Sequence, residues 1–285
     1  MINDFTFVQP ANVEEALQAF SGDGHIVAIA GGTNVMVNLK RAPLDADCVV
    51  DLTKIEELKG ISDTGGHVRI GAGVTFAELL DWHPGGAVEG LMQPMCEAFA
   101  GPLIRNLATV GGNICDASAA ADLSPVLLAL DASVELQSLN NGKRELAMAD
   151  FFKGVRVTTK NTDDLVTEVS FKKPAEDERW YYYKLGKRKA DAISIVSLAM
   201  TVKLDGDRVE KARIALGAVA PVAFRAVEAE KSLVGKSLDE SSIAEAAAIA
   251  EKEASPIDDF RAQADYRRQM VATLVQQGLE NIAGK

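Results

Sequence analysis

Apolar positions along this chain fall into two spacings. Runs in which nearly every residue, or every second one, is apolar occur at 25–30, 48–52, 67–72 and 133–138, and they read as strands. The run at 25–30 has the continuous apolar pattern of a buried strand. Apolar residues three and four apart mark a helix at 13–20, with Asn12 placed to cap it, and another at 76–82 behind Thr75. Residues 35–40 continue as a helix or a short irregular segment. Ser124-Pro125 before the apolar run 126–130 predicts a helix start, with Ser124 as N-cap and Pro125 at the first helical position. Asn140-Asn141-Gly142 lies between 133–138 and 143–148 and predicts a hairpin.

The pattern breaks at Lys172-Lys173-Pro174-Ala175-Glu176-Asp177-Glu178, a charged, proline-bearing connector. We place a domain boundary there, giving units 1–174 and 175–285. Beyond it come three strand-like runs, 180–185, 193–204 and 209–219, the last two joined by Asp205-Gly206-Asp207 as a hairpin. Helical periodicity follows at 222–233, 243–253 and 263–282. The expected class is α+β, the second unit being three-stranded antiparallel sheet plus helices.

Composition narrows the function classes. A chain of 285 residues with 47% hydrophobic and 25% charged residues is an ordinary globular protein able to bury a large core. Its net charge of −11 opposes a surface built for nucleic acid or an anionic membrane. No apolar run approaches the length of a membrane span. The opening Met1-Ile2-Asn3-Asp4-Phe5-Thr6 lacks the pattern of a signal peptide. Cys48, Cys96 and Cys115 are far apart, form no CxxC and give no metal-binding cluster. A reduced, cytoplasmic protein without a metal of its own is the expectation.

Two glycine loops carry the chemistry: Ala30-Gly31-Gly32-Thr33-Asn34 and Thr109-Val110-Gly111-Gly112-Asn113. Backbone without side chains lets N–H groups approach a phosphate oxygen closely. Neither loop has the GxGxxG spacing, and no GxxxxGK[ST] occurs. Either loop alone is the common glycine turn at a strand end. As a pair, with Thr33, Asn34, Thr109 and Asn113 offering hydroxyls and amides, they point to a pyrophosphate held from two sides. His25, His67 and His83 are scattered, and no nucleophile–base arrangement emerges. Asp122 reads equally well as a carboxylate at a helix start. Arg105 and Arg156 read as ion-paired surface residues, and Trp180-Tyr181-Tyr182-Tyr183 as strand packing. A pyrophosphate grip without catalytic side chains implies that a cofactor supplies the chemistry.

The loops, with Phe99-Ala100-Gly101-Pro102-Leu103-Ile104-Arg105-Asn106 and Ala119-Ala120-Ala121-Asp122-Leu123, resemble the FAD-binding medium subunit of the molybdenum hydroxylases. That family includes xanthine, nicotinate and carbon monoxide dehydrogenases. The resemblance covers nearly the whole chain and implies a two-part PCMH-type FAD-binding domain followed by the family's smaller C-terminal domain. By it, Ala28, Ile29, Ala30, Gly31, Gly32, Thr33, Asn34 and Val35 form the first pyrophosphate loop. Thr109, Val110, Gly111, Gly112 and Asn113 form the second. Asp122 matches the family's acidic flavin-binding residue, and Phe99, Ala100, Val166 and Lys184 match positions lining the cofactor. Arg156 lies in a segment resembling a further contact region. The loop 187–193 matches one that flanks the flavin ring; with Ala192 and Ile193 there, it brings no aromatic residue to the ring.

What the resemblance implies about function is electron transfer. Electrons from a molybdenum cofactor on a large subunit pass through two [2Fe-2S] clusters on a small subunit to FAD on this chain. They then leave to a terminal acceptor such as NAD(P)+ or a quinone, within an assembly such as a dimer of heterotrimers. The dispersed cysteines depart from benzoyl-CoA-type reductases, which carry an extra cluster in this subunit. Asn34 and Asn113 resemble the xanthine and nicotinate spelling, which favours a nitrogen-heterocycle substrate. Carbon monoxide- or aldehyde-type dehydrogenases, and a self-contained PCMH-type flavin oxidase, are the alternatives.

Overall fold

The computed structural model describes residues 4–40, 42–189 and 191–285; Met1, Ile2, Asn3 and Ala190, which figure in the readings above, lie outside the described residues. A small parallel sheet opens the chain: β1 (Thr6–Val8), β2 (Ile26–Ile29) and β3 (Cys48–Asp51), in the order β1-β3-β2. Between β1 and β2 runs α1 (Val13–Phe20), where the Asn12 side chain accepts from the Glu15 N–H as its spacing predicts. α1 packs Ala16, Leu17 and Phe20 against Val50, Ile55 and Leu58. The expected buried strand at 25–30 is only half-buried, and Ala28 is exposed. β2 lies at a sheet edge, so part of its apolar run faces a cavity rather than a core. A short helix, α2 (Val35–Leu39), follows the first glycine loop.

The second sheet is antiparallel. Its strands β4 (Ile61–Thr64), β5 (His67–Gly71), β6 (Ser133–Ser138) and β7 (Gly142–Ala147) are joined by β10 (Leu165–Lys172), in the order β4-β5-β10-β6-β7. A small ribbon of β8 (Phe152–Gly154) and β9 (Val157–Thr158) precedes β10. The β6–β7 hairpin forms as its turn predicts, pairing Ser138 with Gly142. Inserted between β5 and β6 are α3 (Phe76–Leu80), α4 (Gly86–Ala98), α5 (Pro102–Arg105), α6 (Val110–Asp116) and α7 (Leu123–Ala129); α8 (Met148–Phe151) follows β7.

Two of these helices differ from expectation. The second glycine loop is not a turn at a strand end but the first turn of α6 itself, with Thr109 as N-cap. Ser124 caps nothing: α7 begins at Leu123, with Asp122 as its N-cap residue. The Asp122 carboxylate is bound elsewhere, and both Ser124 and Pro125 are buried inside the helix.

The third sheet is antiparallel, with β11 (Arg179–Leu185), β12 (Val196–Asp205), β13 (Arg208–Gly217) and a two-residue fourth strand, β14 (Phe224–Arg225), where helix was read. Helices α9 (Val227–Leu233), α10 (Glu240–Glu253) and α11 (Ala264–Ala283) cover one face. On the other face Ala199 and Ala215 join the core around α7, and Thr201 Oγ1 donates to Ala129 O at 3.3 Å. Burial on both faces explains why β12 reads as a continuous apolar run. Among the described residues no helix is long and apolar enough to cross a membrane, and no group of His, Cys, Asp and Glu could hold a metal.

Candidate cofactor site

A cavity of about 710 Å³ lies between the first sheet and the α3–α6 segment. That volume suits an organic cofactor. One wall is the first glycine loop: Ala28, Ala30, Gly31, Gly32, Thr33, Asn34 and Val35 all face it. The opposite wall is the start of α6, with Thr109, Gly111, Gly112 and Asn113. Phe99 and Ala100 close one side, and Val166 from β10 contributes as well. The 80-residue separation of the loops in sequence is thus removed by the fold.

The loops touch each other. A β-carbon at Gly31 would lie 1.6 Å from Leu107 O, so only glycine lets the first loop lie against the backbone leading into the second. Gly111 is similarly confined, its β-carbon position 2.8 Å from the Ala72 side chain.

Their backbone donors are arranged differently. In the second loop Val110 N–H donates to Val74 O, Gly111 N–H to Ala72 O, Gly112 N–H to Thr109 Oγ1 and Asn113 N–H to Thr109 O. In the first loop, the N–H groups of Gly31, Gly32, Thr33 and Asn34 have no acceptor among the described residues. Backbone donors left unmatched on a cavity wall need a ligand or water. Asn113 adds a buried Oδ1 with no partner among the described residues.

Charged groups on the wall are mostly engaged. Glu78 Oε2 accepts from the Thr75 N–H and hydroxyl at 2.7 and 2.8 Å, completing the α3 capping box. Lys160 Nζ donates to the Asn161 and Asp164 carbonyls, and Lys59 pairs with Glu56 at 2.6 Å. The Asp164 carboxylate is bound by Arg144. Neutral N–H groups, rather than a lysine or arginine cluster, are therefore the wall's offer to an anion.

Five predicted residues lie off the wall. Ile29 sits below the first loop, its Cδ1 3.4 Å from the β-carbon position of Gly32. Val110 is buried in the main core. Arg156 has a left-handed φ of 57° and pairs with Asp116 at 2.5 Å; Asp116, not Arg156, reaches the cavity. Asp122 and Lys184 pair with each other at 2.7 Å, both nearly buried. Ser194 Oγ donates to the second Asp122 oxygen at 2.6 Å. Burial raises the Asp122 carboxyl above its ordinary value, against the opposing pull of the Lys184 ammonium. Burial likewise pushes the Cys96 thiol up to about 12.

Sequence reading missed two contributors. Leu52–Leu58 builds part of the cavity through Leu52, Thr53, Ile55 and Leu58, a stretch with no chemical motif. Arg105, read as ion-paired, instead donates to main-chain carbonyls.

Comparison with known proteins decides the family. Residues 3–173 match the model described as FAD binding domain in molybdopterin dehydrogenase. Residues 181–282 match the CO dehydrogenase flavoprotein C-terminal domain. The chain belongs to this FAD-binding family. It is similar to the glyceraldehyde dehydrogenase medium chain of Sulfolobus acidocaldarius, 30% identical over 98% of this chain and 99% of that one. The nicotinate dehydrogenase FAD-subunit of Eubacterium barkeri is 33% identical over 83% of this chain and 82% of its own length. In structure it matches carbon monoxide dehydrogenase from Hydrogenophaga pseudoflava with a TM-score of 0.93 and 28% identity, covering 100% of this chain and 98% of that one. As a medium FAD subunit it is an oxidoreductase component, and FAD is its cofactor. The unmatched donors of the first loop, the orphaned Asn113 oxygen and the cavity volume all fit that group.

Proposed function

We propose that this medium FAD subunit relays electrons from [2Fe-2S] clusters on a small subunit to a terminal acceptor such as NAD(P)+ or a quinone. The substrate would be oxidised at a molybdenum cofactor on a large subunit. When bound, FAD supplies the exchange between one- and two-electron transfer. The chain's residues bind and orient it. Gly31, Gly32, Thr33 and Asn34 would donate to the pyrophosphate through their free N–H groups, with Thr109, Gly111, Gly112 and Asn113 facing them. Ala28, Ala30, Val35, Phe99, Ala100 and Val166 would pack against the cofactor and exclude water. Ile29, Val110 and Arg156 would support those walls from behind, and the paired Asp122 and Lys184 would serve as the cofactor-lining residues that the resemblance implies.

The observation that carries this reading is the meeting of the two glycine loops across one cavity, one of them with its donors unspent. The proposed unit boundary at 174/175 is supported by the passage from β10, ending at Lys172, to β11, starting at Arg179 in a different sheet. Three free cysteines support a reducing, cytoplasmic setting. A nitrogen heterocycle is the proposed substrate class, on the spelling of Asn34 and Asn113. The 30% identity to a glyceraldehyde dehydrogenase medium chain favours an aldehyde as the second reading.

Reconstitution tests the core. Full-length chain mixed with FAD and passed through gel filtration should keep flavin absorbance in the protein peak; a colourless peak would overturn the reading. Co-purified complex should contain molybdenum and iron. Its flavin should bleach with a nitrogen heterocycle, and bleaching by aldehydes alone would select the second reading.

A further inference from the structure

Asp122 and Lys184, the buried pair that would line the cofactor, are held in place from the last part of the chain. Lys184 lines a second cavity, of about 490 Å³, together with Tyr182, Tyr183 and Gly186. Its ammonium lies 2.7 Å from Asp122 Oδ2, and Ser194 Oγ donates to Asp122 Oδ1 at 2.6 Å. Each Asp122 oxygen is thus committed to one partner. Where the carboxylate stands depends on Ser194 and on the turn, 117–121, that leads into α7.

Both supports run back to one carboxylate. Asp259 lies between α10 and α11, in a stretch that carries no motif. Its Oδ2 accepts from Arg261 Nη2 at 2.6 Å and from Nε at 3.0 Å, and its Oδ1 accepts from the Arg261 N–H at 2.8 Å. The remaining guanidinium nitrogen, Nη1, donates to Ser194 O at 2.9 Å. Asp259 Oδ1 also accepts from Arg267 Nη2, and Arg267 Nη1 donates to Ala218 O at 3.0 Å. The Ala218 N–H in turn donates at 2.7 Å to the carbonyl of Ala119, three residues before Asp122. One arm therefore ends on Ser194 and the other on the turn before Asp122.

The second arm needs that support. Ala218 has a φ of 65°, in the left-handed region that favours glycine, and such a conformation persists only when its surroundings impose it. Hydrogen bonds from a charged donor are stronger than neutral ones, and the planar guanidinium fixes the angle between its partners. Arg267 is 1% exposed, so its charge is almost fully desolvated. Burying such a pair costs about as much as its attraction returns, so its contribution lies in the geometry it imposes more than in stability.

None of Asp259, Arg261 and Arg267 lines either cavity. We infer that Asp259, through Arg261 and Arg267, is a positioning hub that sets the Asp122–Lys184 pair against the cofactor and thereby the affinity for FAD. The three residues act through Ser194 and Ala218 and leave contact with the cofactor to the pair. The inference rests on that pair lying against bound FAD.

FAD titrations of the full-length chain test it, read by quenching of flavin fluorescence, with visible-region circular dichroism reporting the flavin's surroundings. Arg261→Gln and Ser194→Ala should each raise the dissociation constant by about tenfold, as loss of an outer partner does at metal centres. Both should alter the dichroism. Because the two changes cut one line of contacts, the double variant should lose no more than the larger single loss. Arg261→Lys, which keeps the charge but cannot span Asp259 and Ser194 O as the fork does, should fall between wild type and Arg261→Gln.

The control is Glu253→Ala, in the same unit and on neither arm. Glu253 accepts from the Glu228 and Ala229 N–H groups at 3.1 and 3.0 Å. Its loss should lower the melting temperature while leaving FAD affinity as in wild type. Wild-type affinity and dichroism in Arg261→Gln, multiplied losses in the double variant, or an equal loss in Glu253→Ala overturns the hub. Should Arg261→Gln fail to fold, Arg261→Lys decides alone, and wild-type values there overturn the hub as well. Wild-type affinity and dichroism in Lys184→Met would instead sink the placing of the pair against FAD.

Discussion

The two glycine loops are spelled almost alike and built in opposite ways. Thr109–Asn113 is the capped first turn of α6, and every N–H from Val110 to Asn113 is already taken by the protein. Ala30–Asn34 is an open bend between a strand edge and a short helix, and its N–H groups from Gly31 to Asn34 are unmatched among the described residues. Glycine serves each for a different reason. At Gly111 it admits the neighbouring Ala72; at Gly31 it lets one loop lie on the backbone of the other. Thus the first loop is arranged to bind and the second to brace, and changes in the two should separate affinity from stability.

The largest effect is expected at Gly31→Ala. Its new β-carbon would fall 1.6 Å from a backbone oxygen, which cannot swing aside as a side-chain tip can. The loops must part, and a shift of about 1 Å at a positioned group commonly costs on the order of 100-fold. The expected result is a chain that no longer retains FAD on gel filtration. Adding FAD to about 100 times the wild-type dissociation constant should stabilise wild type by about 2.7 kcal/mol and this variant by about 0.4 kcal/mol or less.

Gly111→Ala should come next, through stability. Its β-carbon would crowd Ala72 at 2.8 Å, and overpacking of that kind costs about 1–3 kcal/mol. Denaturant unfolding of the FAD-free chain should register most of that loss. An unchanged midpoint with lost FAD would put the second loop on the same footing as the first. Thr109→Ala removes the hydroxyl that accepts from Gly112 N–H at 3.1 Å, a cap worth about 1 kcal/mol. It should lower the melting temperature by about 2–4 °C, the scale for a domain of this size.

How far these roles can be read from sequence depends on whether the information is local. The glycine pairs announce themselves because Gly31-Gly32 and Gly111-Gly112 each precede a small polar residue, and caps at Asn12 and Thr75 lie beside the helices they serve. Which loop has spent its donors cannot be read this way, because Ala72 and Val74, which accept from the second loop, are more than 30 residues upstream. α4 went unread although Ala87, Val88, Leu91, Met92, Met95 and Cys96 fall on one helical face. Gly85-Gly86 and the internal Pro94 mask that period with turn residues. Asp122 and Lys184 are 62 residues apart and in different sheets' surroundings, so no pattern within either segment foretells their pairing. Arg105 acts on carbonyls, which every residue carries and no sequence displays.

The smallest and most discriminating change is Asn34→Ala. Asn34 occupies the N-cap position of α2, where asparagine is ordinarily a stabilising residue, yet its side chain makes no capping bond there and its backbone is helical. The residue lines the cavity instead. Removing its side-chain amide should leave the FAD-free stability within about 0.5 kcal/mol of wild type, as for a surface change that breaks no contact. FAD affinity should fall by the worth of one hydrogen bond, about 0.5–1.5 kcal/mol, or roughly 2- to 12-fold. Thr109→Ala and Asn34→Ala therefore form a crossed pair, one lowering stability and the other affinity. If Asn34→Ala lowered the melting temperature of the FAD-free chain as Thr109→Ala does, the first loop would be bracing too, and the division between the loops would fail at its most sensitive point.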